Sequence, residues 1–235
     1  MSPLKNALLL ICLLFFTVAA QADENDLWLR VLKNCRESGY RFPSEIAYNE
    51  DIIDGTGAVV GHLKLRCQME VSVGTPKLVN FEVIEGKKLL NDDKIEWVGL
   101  LLEHTGIDTP FFIGSGEVDE YYVRDESLSV RGIECSAIDF SRKVEEGKVS
   151  GTVWVNASTE FPLRIESRFT SDHPINIHGE DLVHFNRVVD FEGTGSKWNA
   201  IEATESGWFT RKHLFSNKLV VHEVKLIFGE HQKME

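Results

Sequence analysis

Apolar and polar residues alternate most regularly between Val59 and Val73. The odd positions are apolar or small, and the even positions from His62 to Ser72 are polar or charged. A period of two residues is typical of a β-strand with one buried face and one wet face. Because the run is more than twice the usual strand length of about six residues, it predicts a long strand that is curved or bent. Gly61 is the candidate position for the bend.

Further strands are predicted where short β-prone runs end at turn residues. They are expected at Lys77 to Ile84, within Glu117 to Phe140, at Gly151 to Phe169 as a hairpin, at Leu182 to Phe191 and at Lys218 to Phe228. Polar residues from Asn156 to Glu160 form the predicted hairpin turn, and glycines predict turns at Asp54 to Gly61 and Gly193 to Ser196. Residues His231 to Glu235 are predicted to form a loose tail.

Two segments have helical spacing. Leu27 to Ser38 carries apolar residues at intervals of three and four and is followed by Gly39. A second, short helix is predicted around Ile95 to Leu102, with Asp93 and Glu96 as a capping box. Because helices are few and strands follow one another, the fold class is expected to be α+β. We predict a strongly curved, partly closed antiparallel sheet with helices covering its concave side.

The first 22 residues have the features of a secretory signal. Lys5 precedes an apolar stretch from Ala7 to Val18, and Ala20-Gln21-Ala22 forms a cleavage site. The apolar stretch is shorter than the roughly 20 residues that span a bilayer. We therefore expect an exported chain that is cleaved after Ala22, without a transmembrane segment, and with residues 23–235 forming a single domain.

Charge and cysteine content limit the partners and the covalent structure of this chain. Its formal net charge is −12, which would repel nucleic acid, so no nucleic-acid partner is expected. Residues 23–235 contain three cysteines, so one intramolecular disulfide at most could form in an oxidising compartment. Cys35 and Cys67 are the candidate pair, although both fall on apolar faces and could equally be small buried side chains.

Several motifs suggest chemistry but lack the required context. Asp54 to Gly61 is rich in glycine but precedes a strand rather than a helix, so a turn is favoured over a phosphate loop. Gly114-Ser115-Gly116 lacks the spacing of a nucleophile elbow. The histidines that could act with nearby acids as zinc ligands have spacings of five and six, and exposed loop histidines are favoured; they are His173, His178 and His184. We expect no catalytic residue, metal or cofactor.

His222 is another histidine that the pattern singles out. It lies between Val220 and Val224 on an apolar face of the last predicted strand. Such a histidine is usually buried and hydrogen-bonded.

The hairpin sequence itself resembles a known family. Gly-x-Val-Trp-Val, a polar turn and Pro-Leu-Arg-Ile-Glu resemble the periplasmic outer-membrane lipoprotein-sorting (LolA-like) family. In that family the hairpin forms part of a half-open barrel that shelters acyl chains. The resemblance extends over Val118 to Thr170 and includes Tyr121 to Arg124, Val130 to Cys135 and Ile138 to Phe140. The family has no catalytic motif and is periplasmic, so the resemblance implies a non-enzymatic protein located in the periplasm.

The resemblance and the alternating strands together imply a carrier-like or chaperone-like protein with an apolar cavity for lipid or lipoprotein acyl chains. The residues expected on the cavity wall alternate on apolar faces and could equally form an ordinary core; they are Leu63, Leu65, Met69, Val71, Phe81, Val153, Leu163, Ile165 and Phe169. The main alternative is a periplasmic sensor or protein-interaction module of the same fold, which would bind an envelope protein. A hydrolase or metalloenzyme is the third hypothesis.

Overall fold

The computed structural model describes residues 27–38, 41–72, 75–104, 118–126, 128–144, 147–177, 180–213 and 216–233. The predicted signal sequence, the Gly114-Ser115-Gly116 segment and His178 lie outside these residues. The extent of a single domain over residues 23–235 stays a prediction.

Strands make up most of the described chain. They are β1 (Arg41–Pro43), β2 (Glu45–Asp54), β3 (Val59–Ser72), β4 (Thr75–Glu85), β5 (Glu120–Val123), β6 (Leu128–Val130), β7 (Ile133–Val144), β8 (Gly147–Asn156), β9 (Pro162–Ile177), β10 (Glu180–Glu192), β11 (Asn199–His213), β12 (Ser216–Phe228) and β13 (His231–Lys233). Helix α1 is described at residues 27–37, and α2 spans Asp92–His104. Short 3-10 helices lie at Lys87–Leu89 and Gly195–Lys197.

Eleven of the described strands form one antiparallel sheet. Their order is β4-β3-β2-β12-β11-β10-β9-β8-β7-β5, and β6 also pairs with β7. The sheet is curved and does not close, because β4 and β5 end it on opposite sides. The prediction of a curved, open antiparallel sheet is therefore confirmed.

Strand β3 is the long strand that the alternating pattern predicts. It is one unbroken strand of 14 residues, and Leu63, Leu65, Cys67 and Met69 are buried along one side. The regular pairing is interrupted beside Gly61: Ile52 pairs with Gly61 and Ile53 with Val59, which leaves Val60 as an extra residue. A β-bulge therefore lies beside Gly61, where the sequence predicts a bend, and Val60 is exposed.

The predicted hairpin is also confirmed. Val153 of β8 pairs with Ile165 of β9, and both side chains are fully buried. In the turn, the Asn156 side chain accepts hydrogen bonds from the backbone N–H groups of Ser158 and Thr159. Strand β9 then continues to Ile177, well beyond the predicted end of the hairpin.

Both helices share a core with the sheet. Trp28, Val31 and Cys35 of α1 are buried in the same hydrophobic cluster as residues of α2 and of the strands. Their spacing is the helical stripe that the sequence predicts. The α2 members of the cluster are Val98, Leu101 and Leu102, and the strand members include Leu63 and Ile165.

The cap of α2 differs from the prediction. The Asn91 side chain accepts a hydrogen bond from the Lys94 backbone N–H at 2.8 Å, so Asn91 caps the helix and the proposed Asp93–Glu96 capping box is wrong. A short amide side chain directly before the first turn satisfies one of the helix's unpaired donors. The cap therefore places Lys94 at a fixed position in the first turn.

Two long strands and the C-terminal pairing were not predicted. β2 and β11 were missed, and the segment predicted as a loose tail forms β13, which pairs with β1 through Phe42 and Gln232. Backbone hydrogen bonds and the complete burial of Phe42 hold that C-terminal segment in place. Among the described residues, no helix is long and apolar enough to cross a membrane.

Candidate binding pocket

A pocket lies between α2 and four neighbouring strands of the sheet. Cross-strand pairing places Ile52 of β2 beside His222 of β12, and Glu180 of β10 beside Arg211 of β11. The pocket has a volume of about 240 Å³ and is lined by Ile52, Leu89, Asn91, Asp93, Lys94, Trp97, Glu180, Phe209, Arg211 and His222. This volume is below the roughly 300–1,000 Å³ of pockets for drug-sized ligands, so it would hold only part of a long ligand.

One side of the pocket is apolar and aromatic. The rings of Trp97 and Phe209 meet edge to face with centroids 6.0 Å apart, and Phe209 meets His222 in the same manner at 5.0 Å. Gly207 leaves room for the Phe209 ring, because a Cβ atom at Gly207 would lie 2.5 Å from Phe209 Cε2. Together with Ile52 and Leu89, these rings form a wall that would favour an apolar group.

The other side is ionic, and its central group is Glu50. This carboxylate is fully buried, and its Oε1 accepts hydrogen bonds from Lys94 Nζ at 2.5 Å and from His222 Nδ1 at 2.7 Å. Burial alone would raise the pKa of Glu50, but the hydrogen bond from His222 and the positive charge of Lys94 lower that pKa to about 2. Glu50 is therefore an ionised carboxylate behind the pocket wall.

His222 connects Glu50 to a second carboxylate. Its Nε2 lies 3.3 Å from Glu180 Oε2, and Arg211 Nε donates to Glu180 Oε1 at 2.7 Å. Burial lowers the pKa of His222, but its hydrogen bonds to Glu180 and Glu50 outweigh burial and raise the pKa. Burial likewise opposes ionisation of Glu180, while the hydrogen bonds from His222 and Arg211 lower its pKa. The geometry favours an imidazolium held between two carboxylates.

Buried polar groups continue from the pocket into the core. Tyr48 lies two residues before Glu50 on the same face of β2, and its burial, followed by the charge of Glu50, raises the pKa of Tyr48 well above its usual value. Further along the sheet, Arg187 Nε and Glu205 Oε1 form an ion pair at 2.8 Å with both side chains almost wholly buried. The polar wall of the pocket is therefore the outer part of a larger buried ionic array.

This arrangement can bind an amphipathic molecule but does not assemble a metal site. Among the residues that the structure describes, no three His, Cys, Asp or Glu side chains are grouped to hold a metal ion. Two members of the predicted histidine set are described: His173 is exposed, and His184 stacks on Trp208 with ring centroids 4.2 Å apart.

The nine predicted wall residues lie elsewhere in the fold, and the described lining of the pocket contains none of them. Leu63, Leu65, Met69, Val153 and Ile165 are buried in the main core, Phe81 packs against that core and Phe169 is half-buried. Leu163 sits at a bulge in β9 and belongs to a smaller cluster with Val130 and Cys135. Val71 lies on β3.

The candidate disulfide is not formed. Cys35, Cys67 and Cys135 are all buried free thiols. Cys35 and Cys67 belong to the main hydrophobic core, and Cys135 belongs to the smaller one.

Sequence reasoning found one member of the ionic wall, His222. Its predicted hydrogen bonding is confirmed, whereas its side chain is 13% exposed and therefore only partly buried. Sequence reasoning missed Glu50, Lys94, Glu180 and Arg211. The available signal was the alternation Ile46, Tyr48, Glu50, Ile52, in which a glutamate occupies a position on the apolar face of a strand.

Comparison with known proteins gives only distant structural similarity. No protein-family model matches the chain, and no curated protein does. A crystal structure of a DUF1329 family protein from Desulfovibrio piger is similar over 86% of this chain and 90% of that chain, with 13% sequence identity and a TM-score of 0.35. The crystal structure of MucB in complex with MucA(peri) is similar over 85% and 92%, with 7% identity and a TM-score of 0.21.

Proposed function

We propose that this protein is an exported, non-enzymatic binding protein that takes up an amphipathic, lipid-like ligand. The observation that carries the proposal is the pocket between α2 and the sheet, which has an aromatic and aliphatic wall opposite an ionic wall. Few ligands other than amphipathic ones match both walls at once, because a buried polar group needs a hydrogen-bond partner and an apolar group gains by leaving water.

In this proposal the open sheet is a half-open barrel, and α1 and α2 cover its concave side. The apolar part of the ligand, such as the acyl chain of a lipid or lipoprotein, lies against Ile52, Leu89, Trp97 and Phe209. Each Å² of apolar surface removed from water contributes about 25 cal/mol. The residues that the sequence predicted on the cavity wall, such as Leu63 and Ile165, would contact the acyl chain of the ligand only if the core opened beyond the pocket. The protein would act as a carrier or chaperone in the periplasm.

Native mass spectrometry tests the proposal directly. The protein should be purified as the cell exports it and sprayed under conditions that preserve non-covalent complexes. We expect a population whose added mass is that of a lipid and is released by organic solvent. A protein without added mass, which also fails to bind the probe described next, would contradict the proposal, and a mass added by a metal ion would favour the metalloenzyme hypothesis.

A fluorescent fatty-acyl probe and two matched variants test the position of the site. Leu89→Trp adds volume inside the pocket, whereas Ile84→Trp adds volume at an exposed position on neighbouring β4. We expect the Leu89 variant to weaken probe binding about tenfold or more, equivalent to about 1.4 kcal/mol, and the Ile84 variant to bind normally. Equal binding by the two variants would mean that the ligand occupies another site.

The second candidate is a sensor or protein-interaction module of the same fold. Exposed apolar side chains favour it: Val59, Val60 and Leu219 are 58%, 60% and 45% exposed. They lie at the ends of neighbouring strands, because Ile53 of β2 pairs with both Val59 and Val221. If the protein binds no lipid probe, but forms an in-cell crosslink to an envelope protein that a Val60→Lys, Leu219→Lys variant loses, this candidate replaces the carrier.

A further inference from the structure

The ionic groups of the pocket are already matched with one another. Lys94 bonds to Glu50, Arg211 bonds to Glu180, and His222 lies between the same two carboxylates. Asp93 adds a further carboxylate to the lining. A ligand therefore meets cations whose charge is balanced by neighbouring carboxylates rather than a cluster of positive charge waiting for an anion.

Arg211 can still donate hydrogen bonds to a ligand. Its side chain is 52% exposed, and it uses Nε and one terminal nitrogen to bond to a single oxygen of Glu180. A guanidinium has five N–H groups in a fixed plane. The groups that do not point at Glu180 can donate to an oxygen of the ligand without breaking the existing ion pair.

We infer that the pocket selects a ligand whose head carries uncharged hydroxyl and ester oxygens, as in a glyceride, over one whose head is a bare carboxylate. This inference rests on the proposed function, and it adds the chemistry of the head group. An uncharged oxygen of the ligand accepts a hydrogen bond from Arg211 and leaves the ion pair between Arg211 and Glu180 intact. A carboxylate would lie near Glu180 and Glu50, which repel it, and the net charge of −12 on the whole chain adds to that repulsion.

The test compares ligands that share one tail. Binding of 1-dodecanoylglycerol and dodecanoate to the exported protein is measured by calorimetry at pH 7, below the concentration at which each ligand forms micelles. We expect the glyceride to bind at least about tenfold more tightly than dodecanoate, a difference of about 1.4 kcal/mol. Equal or tighter binding of dodecanoate would overturn the inference and leave the proposed function standing. Binding of neither ligand would overturn the proposed function itself.

A single charge removal should abolish the preference. Glu180→Gln keeps the size of the side chain and leaves the charge of Arg211 without its carboxylate. Dodecanoate should then bind at least about tenfold more tightly than it binds the parent protein, whereas binding of the glyceride should change less than about threefold. Added salt should weaken dodecanoate binding to this variant, because an exposed charge pair is screened. An unchanged preference in a folded Glu180→Gln protein would overturn the inference.

Two further variants complete the test. Glu82→Gln removes an equivalent charge from an exposed residue that pairs with Arg66 on the sheet surface, and it should leave the affinities for the glyceride and for dodecanoate unchanged. If Glu180→Gln fails to fold, Arg211→Gln replaces it. That variant should weaken binding of the glyceride severalfold, because the guanidinium that donates hydrogen bonds to the head group is removed. Undiminished glyceride binding by the Arg211 variant would overturn the inference.

Discussion

His222 Nδ1 donates to Glu50 Oε1 at 2.7 Å, and this contact joins residues 172 positions apart in the chain. The two residues lie on adjacent strands: Glu50 pairs with Val224 and His222 pairs with Ile52, so they are diagonal neighbours on the inner face of the sheet. The same Glu50 oxygen accepts from Lys94 of α2. One buried carboxylate oxygen therefore links β2, β12 and the first turn of α2.

Removal of the Glu50 charge should destabilise the protein strongly. In Glu50→Gln, Lys94 and His222 lose the carboxylate that compensates their positive charges, and breaking a buried ion pair from one side costs about 3–5 kcal/mol. The free energy of unfolding from urea titrations measures this loss. Glu82→Gln is the control, because its exposed ion pair with Arg66 should contribute at most about 1 kcal/mol. Similar losses for the two variants would contradict the central role of Glu50.

The free energy of unfolding should fall at acidic pH because Glu50 becomes protonated. Its pKa is about 2 in the folded protein and about 4.5 for an unperturbed glutamate. A lowered folded pKa stabilises the protein above the unfolded value, and the stabilisation is lost as the pH falls from about 4.5 toward about 2. The full contribution is about 3 kcal/mol. Unfolding free energies measured at a series of acidic pH values should show this loss in the parent protein and a smaller one in Glu50→Gln.

The loss of folding stability at alkaline pH should be determined by His222. Its pKa is raised in the folded protein, so its contribution is complete below the usual histidine pKa of about 6.5 and disappears as the pH rises through the higher folded value. Thermal unfolding midpoints should therefore decline above neutral pH. His222→Gln removes the titrating group, so the thermal unfolding midpoint of this variant should depend less on pH over the same range. A parent protein and variant with parallel alkaline curves would show that another group titrates.

The sequence patterns located β3, whose buried side is apolar, and missed β2 and β11, which each carry a buried glutamate. Along β3 the buried side runs through Leu63, Leu65 and Cys67, so the period of two residues is visible. On β2 the inner face continues from Tyr48 to Glu50, and on β11 it continues from Ala203 to Glu205, so a glutamate breaks the apolar run in each strand. The strands that the pattern missed therefore carry carboxylates of the ionic array behind the pocket.

The pocket itself could not be assembled from sequence patterns. Its ionic wall combines residues of α2, β2, β10, β11 and β12, and only the sheet order places them together. The histidine on an apolar face was visible in the sequence, but its two carboxylate partners lie far away in the chain. The hydrogen bonding of His222 could be predicted locally, whereas its partners depend on the long-range pairing of strands.

The two faces of β3 should respond differently to truncation. Leu65 is buried in the core, so Leu65→Ala should cost about 2–5 kcal/mol through lost burial and a residual cavity. Arg66 points to the other face and pairs with Glu45 and Glu82 near the surface, so Arg66→Ala should cost at most about 1 kcal/mol. Urea unfolding measures both values. Equal losses would contradict the assignment of faces along the strand.

The buried thiols should be unreactive in the folded protein. Burial raises the pKa of Cys67 to about 12 and raises the pKa of Cys35 further, so almost no thiolate forms at neutral pH. A thiol reagent should therefore label the exported native protein slowly and label three cysteines of residues 23–235 rapidly in denaturant. A count of one under denaturing conditions would instead show that one disulfide forms in the exported protein, with Cys35 and Cys67 as the candidate pair.

Loss of the C-terminal strand should destabilise the protein measurably. β13 pairs with β1, the Ser44 backbone N–H donates to the Glu230 carbonyl, and Phe42 of β1 is fully buried. Truncation after Glu230 removes the β13 side of the ladder and leaves β1 without its pairing partner. With about 0.5–1.5 kcal/mol for each hydrogen bond, we expect the free energy of unfolding to fall by about 1–3 kcal/mol. Urea titration of the truncated and parent proteins measures the difference. A truncated protein as stable as the parent would mean that the segment contributes nothing in solution, as expected of a loose tail.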